Sequence, residues 1–334
     1  MDNKLKVLDA NILYIIGAFL FITLGSYFQG RSLLSGLIIT QYILILLPPL
    51  IYLKGKAFSI KKTMRFNRIS FKHGMLVTLI TLLMYPTAIF ANALMMTLMS
   101  FVGNLNIPAL PTATSGGEYI VLMVIISVSA GICEEVFFRG FILSGYERLG
   151  QRKAIIISAV LFGLFHLNLY NLAGPIVLGL VFGYLVILTD SIYAGIIGHT
   201  VNNGFAVTLG FAINRLIERT PNVVDSEPEI ISTTTALLFN VMFFGIIAIA
   251  TGYVALRLVR IIKKDLNLGK EGISETLVVH KKEGLIKTEE LMVDEQLTLK
   301  TEVTEWWEFA PLALFIPLFL FVAFHQLREI ILLG

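Results

Sequence analysis

The sequence is poor in the residues on which secreted and water-soluble proteins rely. It has a single cysteine, Cys133, in 334 residues, which excludes a disulfide within the chain. Only 15% of the residues are charged, against about 25% in soluble domains. The 26 basic and 23 acidic residues leave a net charge of only +3, so the composition does not indicate a nucleic-acid partner.

What the chain has instead is apolar residues, which make up 56% of it. They collect into runs of about 20 residues, the length of helix that crosses a hydrocarbon core about 30 Å thick. We therefore predict an all-α fold, a polytopic transmembrane helical bundle of about nine spans, and a multi-pass integral membrane protein. The candidate spans are 12–29, 33–53, 74–102, 119–146, 154–170, 173–189, 191–213, 233–258 and 308–327.

The charges between the spans predict the orientation of the bundle, because basic loops favour the cytoplasmic side of a membrane. The loops that follow the second, fourth and eighth spans are basic, whereas 104–117 is neutral and 214–231 carries more acidic than basic residues. This alternation predicts a cytoplasmic N-terminus. A bacterial source would place the protein in the cytoplasmic (plasma) membrane. The polar stretch 262–306, with short strands expected at 277–279 and 297–299, is predicted to be a small cytoplasmic insert.

Three of the spans contain polar and ionisable side chains, which are costly inside a membrane and mark functional sites there. Residues four apart share a helix face, so Glu135 is expected to pair with Arg139. Glu134 is turned by about 100° from Glu135 and is free to face other helices. The residues concerned are Glu134, Glu135 and Arg139 in the fourth span, His166 in the fifth, and His199 and Asn203 in the seventh.

The spacing of these residues predicts that they meet. Glu134 lies sixteen residues before the turn at Gly150 and His166 lies sixteen after it, so both have similar depths in an antiparallel hairpin. His199 is closer to its own turn, near Asp190, and its convergence is less well determined. Small residues would permit close helix approach; they are Gly131, Gly140, Gly163, Gly195, Gly198 and Gly204.

These side chains are sufficient for peptide hydrolysis without a serine or cysteine nucleophile. A glutamate in a desolvated pocket, with a histidine beside it, removes a proton from water. Imidazole and amide N–H groups on a second helix stabilise the oxyanion that forms when water attacks a peptide carbonyl. We find no Gly-x-Ser-x-Gly motif, and Asp190 is the only acidic residue near the hairpin of the sixth and seventh spans. Rhomboid-like and presenilin-like chemistries are therefore disfavoured.

The three motifs resemble the signature of the CPBP family, which groups Ras-converting CAAX prenyl endopeptidases with bacterial Abi proteins of the lysostaphin-resistance and bacteriocin-immunity types. Glu-Glu-x-x-x-Arg begins at Glu134, Phe-x-x-x-His begins at Phe162, and His-x-x-x-Asn begins at His199. The match covers about 119–213. We divide the chain accordingly into N-terminal transmembrane helices (1–117), a CPBP/Abi catalytic helical core (118–213), an additional transmembrane helix (214–261), the cytoplasmic insert (262–306) and a C-terminal transmembrane helix (307–334).

The resemblance implies a membrane endopeptidase that hydrolyses a peptide bond in a CAAX-type, peptide-precursor or membrane-associated substrate. Its partners would be membrane lipid and a protein or peptide substrate, with membrane-anchored and prenylated chains included in that class. The resemblance implies six catalytic residues: Glu134 as the water-activating base, His166, His199 and Asn203 as oxyanion donors, and Glu135 with Arg139 as support.

The need for a metal stays open at this point. Glu134, His166 and His199 form a set that zinc would accept, which would make the protein a metalloprotease. The chain has no His-Glu-x-x-His pair on one helix, and its two motif histidines lie on different spans. We favour the metal-free, glutamate-based mechanism and predict no cofactor other than this optional zinc.

Two other functions use the same residues. Glutamate and histidine inside a membrane also form proton relays in transporters, but we detect no paired halves with broken helices. A non-catalytic bacteriocin-immunity or scaffold protein on the same fold is the second alternative, against which the intact motifs argue. Taken alone, Glu135 and Arg139 are equally well explained as a structural ion pair.

Overall fold

The computed structural model describes residues 5–105, 111–220, 233–266 and 304–332. These residues form helices, short helical turns and loops, and no strand occurs within them. The strands expected at 277–279 and 297–299, and the acidic part of the loop 214–231, lie outside the described residues.

The described residues confirm an all-α polytopic bundle. Eight of their helices, three with a short 3₁₀ turn attached, are long and apolar enough to cross a membrane. The main helices are α1 Val7–Arg31, α2 Leu33–Gly55, α3 Phe71–Ser100, α4 Gly116–Leu149, α5 Gln151–Phe165, α6 Ala173–Thr189, α7 Ile192–Arg219, α8 Thr233–Asp265 and α9 Leu312–Leu332. The 3₁₀ turn Glu147–Leu149 ends α4, and the turns Leu169–Asn171 and Trp306–Phe309 precede α6 and α9.

The difference from the nine expected spans lies in α5. This helix has 15 residues and is about 22 Å long, which is too short to cross a core of about 30 Å. It ends at Phe165, and Leu167 just beyond it has a φ of +50°, so the chain leaves the helical path there. The apolar run 154–170 extends past this turn, and hydrophobicity alone therefore overestimated the helix.

Helices α2 and α4 contain π-helical stretches near the predicted site. One is Thr40–Leu46 in α2, and two others, Met123–Ser129 and Val136–Ile142, lie on either side of the segment Ala130–Glu135 in α4. A π-helical stretch alters which side chains face a neighbouring helix and is common at functional sites. The α2 stretch packs against Ala130–Glu135.

Polar contacts gather the loops that were predicted to be cytoplasmic at one end of the bundle. Arg65, in the loop between α2 and α3, forms ion pairs with Glu147 at the end of α4 and, at 3.0 Å, with Asp190. Lys72 forms a 2.7 Å ion pair with Asp265 at the end of α8. The turns that follow α4 and α6 therefore lie at the same end.

An aromatic core fixes α4 between its neighbours. Tyr14 of α1 contacts the rings of Phe138 and Phe165, and it donates a hydrogen bond to the carbonyl of Leu161 at 3.0 Å. Phe315 of α9 packs on the same tyrosine. The apolar side chains of α8 remain largely exposed, which is the arrangement expected of a surface in contact with lipid rather than water.

Candidate active site

The two adjacent glutamates of α4 occupy different environments. The side chain of Glu135 is completely buried, whereas 16% of the Glu134 side chain is exposed. Their separation follows from helix geometry, since consecutive residues point about 100° apart. Glu134 is therefore the carboxylate that a small molecule such as water reaches.

Glu135 is held by charged partners. Its Oε1 accepts hydrogen bonds from Nη1 of Arg139 at 2.6 Å and from Nδ1 of His199 at 2.9 Å. The arginine is itself fully buried, with its guanidinium carbon 4.4 Å from the centre of the Phe162 ring. The expected pair of Glu135 and Arg139 is present, and it provides the counter-charge that a buried carboxylate requires.

Two glycines allow α4 and α7 to approach closely at this point. A Cβ atom added to Gly195 would lie 2.4 Å from Oε2 of Glu135, and one added to Gly131 would lie 2.2 Å from the hydroxyl oxygen of Thr200. Both distances are far below van der Waals contact. The lack of a side chain at these positions is what permits the histidine of α7 to reach the glutamates of α4.

His199 lies between the two carboxylates. A carboxylate only accepts hydrogen bonds, so the nitrogen that faces Glu135, Nδ1, carries a hydrogen. The other nitrogen, Nε2, lies 3.9 Å from Oε2 of Glu134. The ring stacks on Phe182 at a centroid distance of 5.8 Å, which fixes its plane.

His166 follows the last residue of α5 and is oriented in the same manner. Its Nδ1 lies 2.9 Å from the carbonyl oxygen of Phe162, and because a carbonyl only accepts, Nδ1 is the protonated nitrogen. In the neutral ring Nε2 is then an acceptor. The Phe162 ring contacts both histidines edge-on, and His166 interacts electrostatically with Glu134 and His199.

Asn203 lies one helical turn beyond His199 and makes different contacts. Its amide nitrogen donates to the carbonyl of Ile126 at 3.0 Å, and its oxygen accepts from Asn202 at 3.1 Å. No hydrogen bond joins Asn203 to the glutamates or histidines in the described parts of the chain. One hydrogen of its amide nitrogen remains after the contact with Ile126.

The sequence analysis missed Gln41. Its Nε2 donates to Oε1 of Glu134 at 2.7 Å from α2, whereas its Oε1 is buried and has no hydrogen-bond partner within the described residues. A glutamine inside an apolar span is itself a sign of a polar contact between helices. That sign was available in the sequence, but it does not identify the partner.

The positions of the motif residues bear on the zinc alternative. They contain no group of three or more histidine, cysteine, aspartate or glutamate side chains arranged to hold a metal ion. Glu134, His166 and His199 are therefore not arranged as a ligand set here, although they approach one another. We derive no chemical step through a metal.

Comparisons with known proteins agree with the motif assignment. Residues 116–205 match the family described as "Type II CAAX prenyl endopeptidase Rce1-like". The chain is also 35% identical over 94 residues to "Putative membrane peptidase YdiL" of Bacillus subtilis (strain 168). The aligned residues make up 28% of this chain and 38% of that relative. No solved structure matches the chain. The six predicted site residues all lie in the matched range 116–205, and the chain spans well under half the length of the curated relative that it matches.

Proposed function

We propose that this integral membrane protein is an endopeptidase that hydrolyses peptide bonds with a water molecule activated by Glu134. The observation that carries the proposal is the environment of this carboxylate. Glu134 is the partly exposed member of the glutamate pair, and its Oε2 lies 3.9 Å from Nε2 of His199. A carboxylate inside a membrane that lies next to two histidines, and that forms no salt bridge with arginine or lysine among the described residues, is suited to accept a proton.

In the proposed reaction, Oε2 of Glu134 takes one proton from water while the water oxygen attacks the carbonyl carbon of the peptide bond. The C–N bond then breaks, and the proton held by Glu134 passes to the leaving amine. The family resemblance implied that His166 donates to the oxyanion. We instead assign it to the first step, because the neutral ring presents the unprotonated Nε2 as a second acceptor for the water. No covalent enzyme intermediate is required.

The negative charge on the attacked oxygen needs a donor. His199 donates from Nε2 only when both ring nitrogens are protonated and the ring is positively charged. Carboxylates on both sides of the ring, Glu135 at 2.9 Å and Glu134 at 3.9 Å, supply the counter-charge for this form. We assign His199 as the principal oxyanion donor, and the remaining amide hydrogen of Asn203 as a second donor.

We propose a CAAX-type, peptide-precursor or membrane-associated chain as the substrate, including chains with a lipid anchor. The depth of Glu134 in α4 supports this class, because a substrate has to enter the bundle to reach it. The family description names CAAX prenyl endopeptidases, and the Bacillus relative is named a membrane peptidase. The basic loops at one end of the bundle support a cytoplasmic N-terminus.

The proposal is tested by cleavage of a library of membrane-anchored peptides with the purified protein in nanodiscs. Glu134→Gln preserves the shape of the side chain but removes the base, and should lower the rate at least about a hundredfold. Glu218→Gln is the matched control, since Glu218 is a half-exposed residue of α7 paired with Arg215. A wild-type protein that cuts no peptide, or a Glu134→Gln variant that cuts as fast, contradicts the proposal.

A further inference from the structure

Helix α2 lies outside the matched range 116–205, yet it contributes a side chain to the site. Gln41 donates its amide hydrogen to Oε1 of Glu134 at 2.7 Å, across 93 positions of sequence. The π-helical stretch Thr40–Leu46 that carries this glutamine packs on the Glu134 segment of α4. The glutamine is thus part of the same polar cluster as the motif residues.

We propose that Gln41 bridges the base and the bound peptide: Nε2 fixes the carboxylate of Glu134, and Oε1 accepts a hydrogen bond from a backbone N–H of the substrate. The inference rests on the proposed function. It assigns a substrate contact to a residue that lies outside the three motifs.

The first half of the proposal follows from the two oxygens of Glu134. Oε1 is occupied by Gln41 at 2.7 Å, while Oε2 lies toward His199 at 3.9 Å. Without the amide the carboxylate rotates and the two oxygens exchange. With it, Oε2 is the oxygen that remains available to the water, on the side where the oxyanion donor lies.

The second half follows from the other end of the amide. Gln41 is only 8% exposed, and its Oε1 has no hydrogen-bond partner in the described part of the chain. A buried polar atom without a partner is unfavourable, and inside a membrane a peptide substrate brings backbone N–H groups that equally need acceptors. A peptide bound beside Glu134 would satisfy both groups.

Hydrogen-bond chemistry fixes which end of the Gln41 amide faces Glu134. The neighbouring carboxylate of Glu134 only accepts hydrogen bonds, so the nitrogen of Gln41 faces it and the oxygen faces away. Among the described residues, the titratable groups around Glu134 include Cys133, Glu135 and Arg139 on α4, His166 just after α5, and His199 on α7.

Two variants of Gln41 separate its two roles in the full-length protein, measured with a peptide that the wild type cuts. Gln41→Met removes donor and acceptor, and should lower kcat about tenfold and also raise KM. Gln41→Glu retains an acceptor oxygen but loses the amide donor to Glu134. It should therefore lower kcat as Gln41→Met does, while raising KM less than Gln41→Met does.

The matched control is Gln29→Met. Gln29 donates to the hydroxyl of Thr40 at 3.1 Å, so it joins α1 to α2 next to Gln41, and it makes no hydrogen bond to Glu134 among the described residues. The kcat and KM of Gln29→Met should remain within about twofold of wild type, the range expected for a substitution away from the reacting groups.

Wild-type kcat and KM in Gln41→Met would overturn the inference. An equal loss in Gln29→Met would also overturn it, because the effect would then come from packing of the α1–α2 hairpin. Failure of the proposed function is recognised separately, from a wild-type protein without cleavage activity or from an active Glu134→Gln variant.

Discussion

Oε1 of Glu135 accepts a hydrogen bond from Nδ1 of His199 at 2.9 Å, between α4 and α7. The same oxygen accepts a hydrogen bond from Nη1 of Arg139 at 2.6 Å. This shared acceptor ties the orientation of the imidazole to a buried ion pair. Glu135 thus keeps a hydrogen on Nδ1 of His199, fixes the orientation of the ring and directs Nε2 toward Glu134, as the buried carboxylate does in other carboxylate–histidine pairs.

Substitutions of His199 should separate its two ring nitrogens. The amide nitrogen of asparagine occupies roughly the place of Nδ1, so His199→Asn keeps a donor to Glu135 and loses the group that faces Glu134. We expect it to fold normally and to lose about a hundred- to a thousandfold in kcat, the effect of removing an oxyanion donor. Peptide cleavage and thermal unfolding in detergent provide the two measurements.

In the complementary variant, His199→Gln, the side-chain amide lies near the position of Nε2 of the histidine, and the hydrogen bond to Glu135 is lost. We expect a lower unfolding temperature than for His199→Asn, because the carboxylate loses a buried donor. Equal stability and equal activity of the two variants would show that the nitrogens are not functionally distinct.

Neutralising Glu135 should affect folding, unlike neutralising Glu134. Arg139 has no exposed side-chain surface, and Glu135→Gln leaves its charge buried without the carboxylate that it is hydrogen-bonded to, at a cost of up to about 3–5 kcal/mol. The expected result is a reduced yield of folded protein by size-exclusion chromatography in detergent. Glu134→Gln is the matched control and should elute as wild type.

A second substitution tests whether the lost charge is responsible. Glu135→Gln combined with Arg139→Met removes both charges and should recover part of the folded yield, since replacing a whole buried pair is far less costly than breaking it. A double variant that is worse than the single variant would exclude this explanation.

The residues predicted from sequence are those whose relationships are local. Glu135 and Arg139 lie four apart on one helix, and the spacing alone predicts their contact. Counting residues around a hairpin turn predicted similar depths for Glu134 and His166, and these two side chains interact electrostatically. Membrane spans were predictable for the same reason, since the hydrophobic length is a property of each segment alone.

The missed features depend on non-local packing. Gln41 meets Glu134 only because α2 packs on α4, and no spacing rule connects positions 93 apart. Asn203 binds the carbonyl of Ile126, which lies in a π-helical stretch that composition does not reveal. The early end of α5 at Phe165 was hidden because the loop that follows is also apolar.

Adding one methyl group at Gly131 should separate α4 from α7. The new Cβ would lie 2.2 Å from the hydroxyl oxygen of Thr200 and 3.0 Å from its backbone nitrogen. We expect Gly131→Ala to lower the free energy of unfolding by about 1–3 kcal/mol. We also expect a lower kcat in the protein that stays folded, because His199 moves away from the glutamates. Unfolding temperature and kcat are measured together.

Gly252→Ala is the control, since a Cβ at Gly252 of α8 meets no other atom within 4 Å. Alanine is favoured over glycine inside a helix by about 0.5–1 kcal/mol, so this variant should be as stable as wild type or slightly more so. Similar losses at the two positions would argue against a specific contact at Gly131.

Removal of metal ions should leave the activity unchanged. Because Glu134, His166 and His199 are not arranged as ligands, we expect the rate after exhaustive chelation to remain within about twofold of the untreated rate, whereas zinc-dependent catalysis ends with loss of the ion. A zinc metalloprotease treated in parallel confirms that chelation was effective. Loss of activity with rescue by zinc would exclude the metal-free mechanism.

The final prediction concerns Gln326 of α9, which holds the loop that follows His166. Its Oε1 accepts from the backbone N–H of Leu169 and its Nε2 donates to the carbonyl of Leu167, both at 2.8 Å. Gln326→Met leaves these two backbone groups without a partner, at about 1–3 kcal/mol each if they stay buried. Leu167, held at a φ of +50°, would relax toward an ordinary conformation and take the adjacent His166 with it. We therefore expect a lower unfolding temperature and a reduced kcat for Gln326→Met. The control is Glu329→Gln, at an exposed position of the same helix, which should have the unfolding temperature and kcat of wild type. A Gln326→Met variant with normal kcat would show that His166 is positioned by α5 alone.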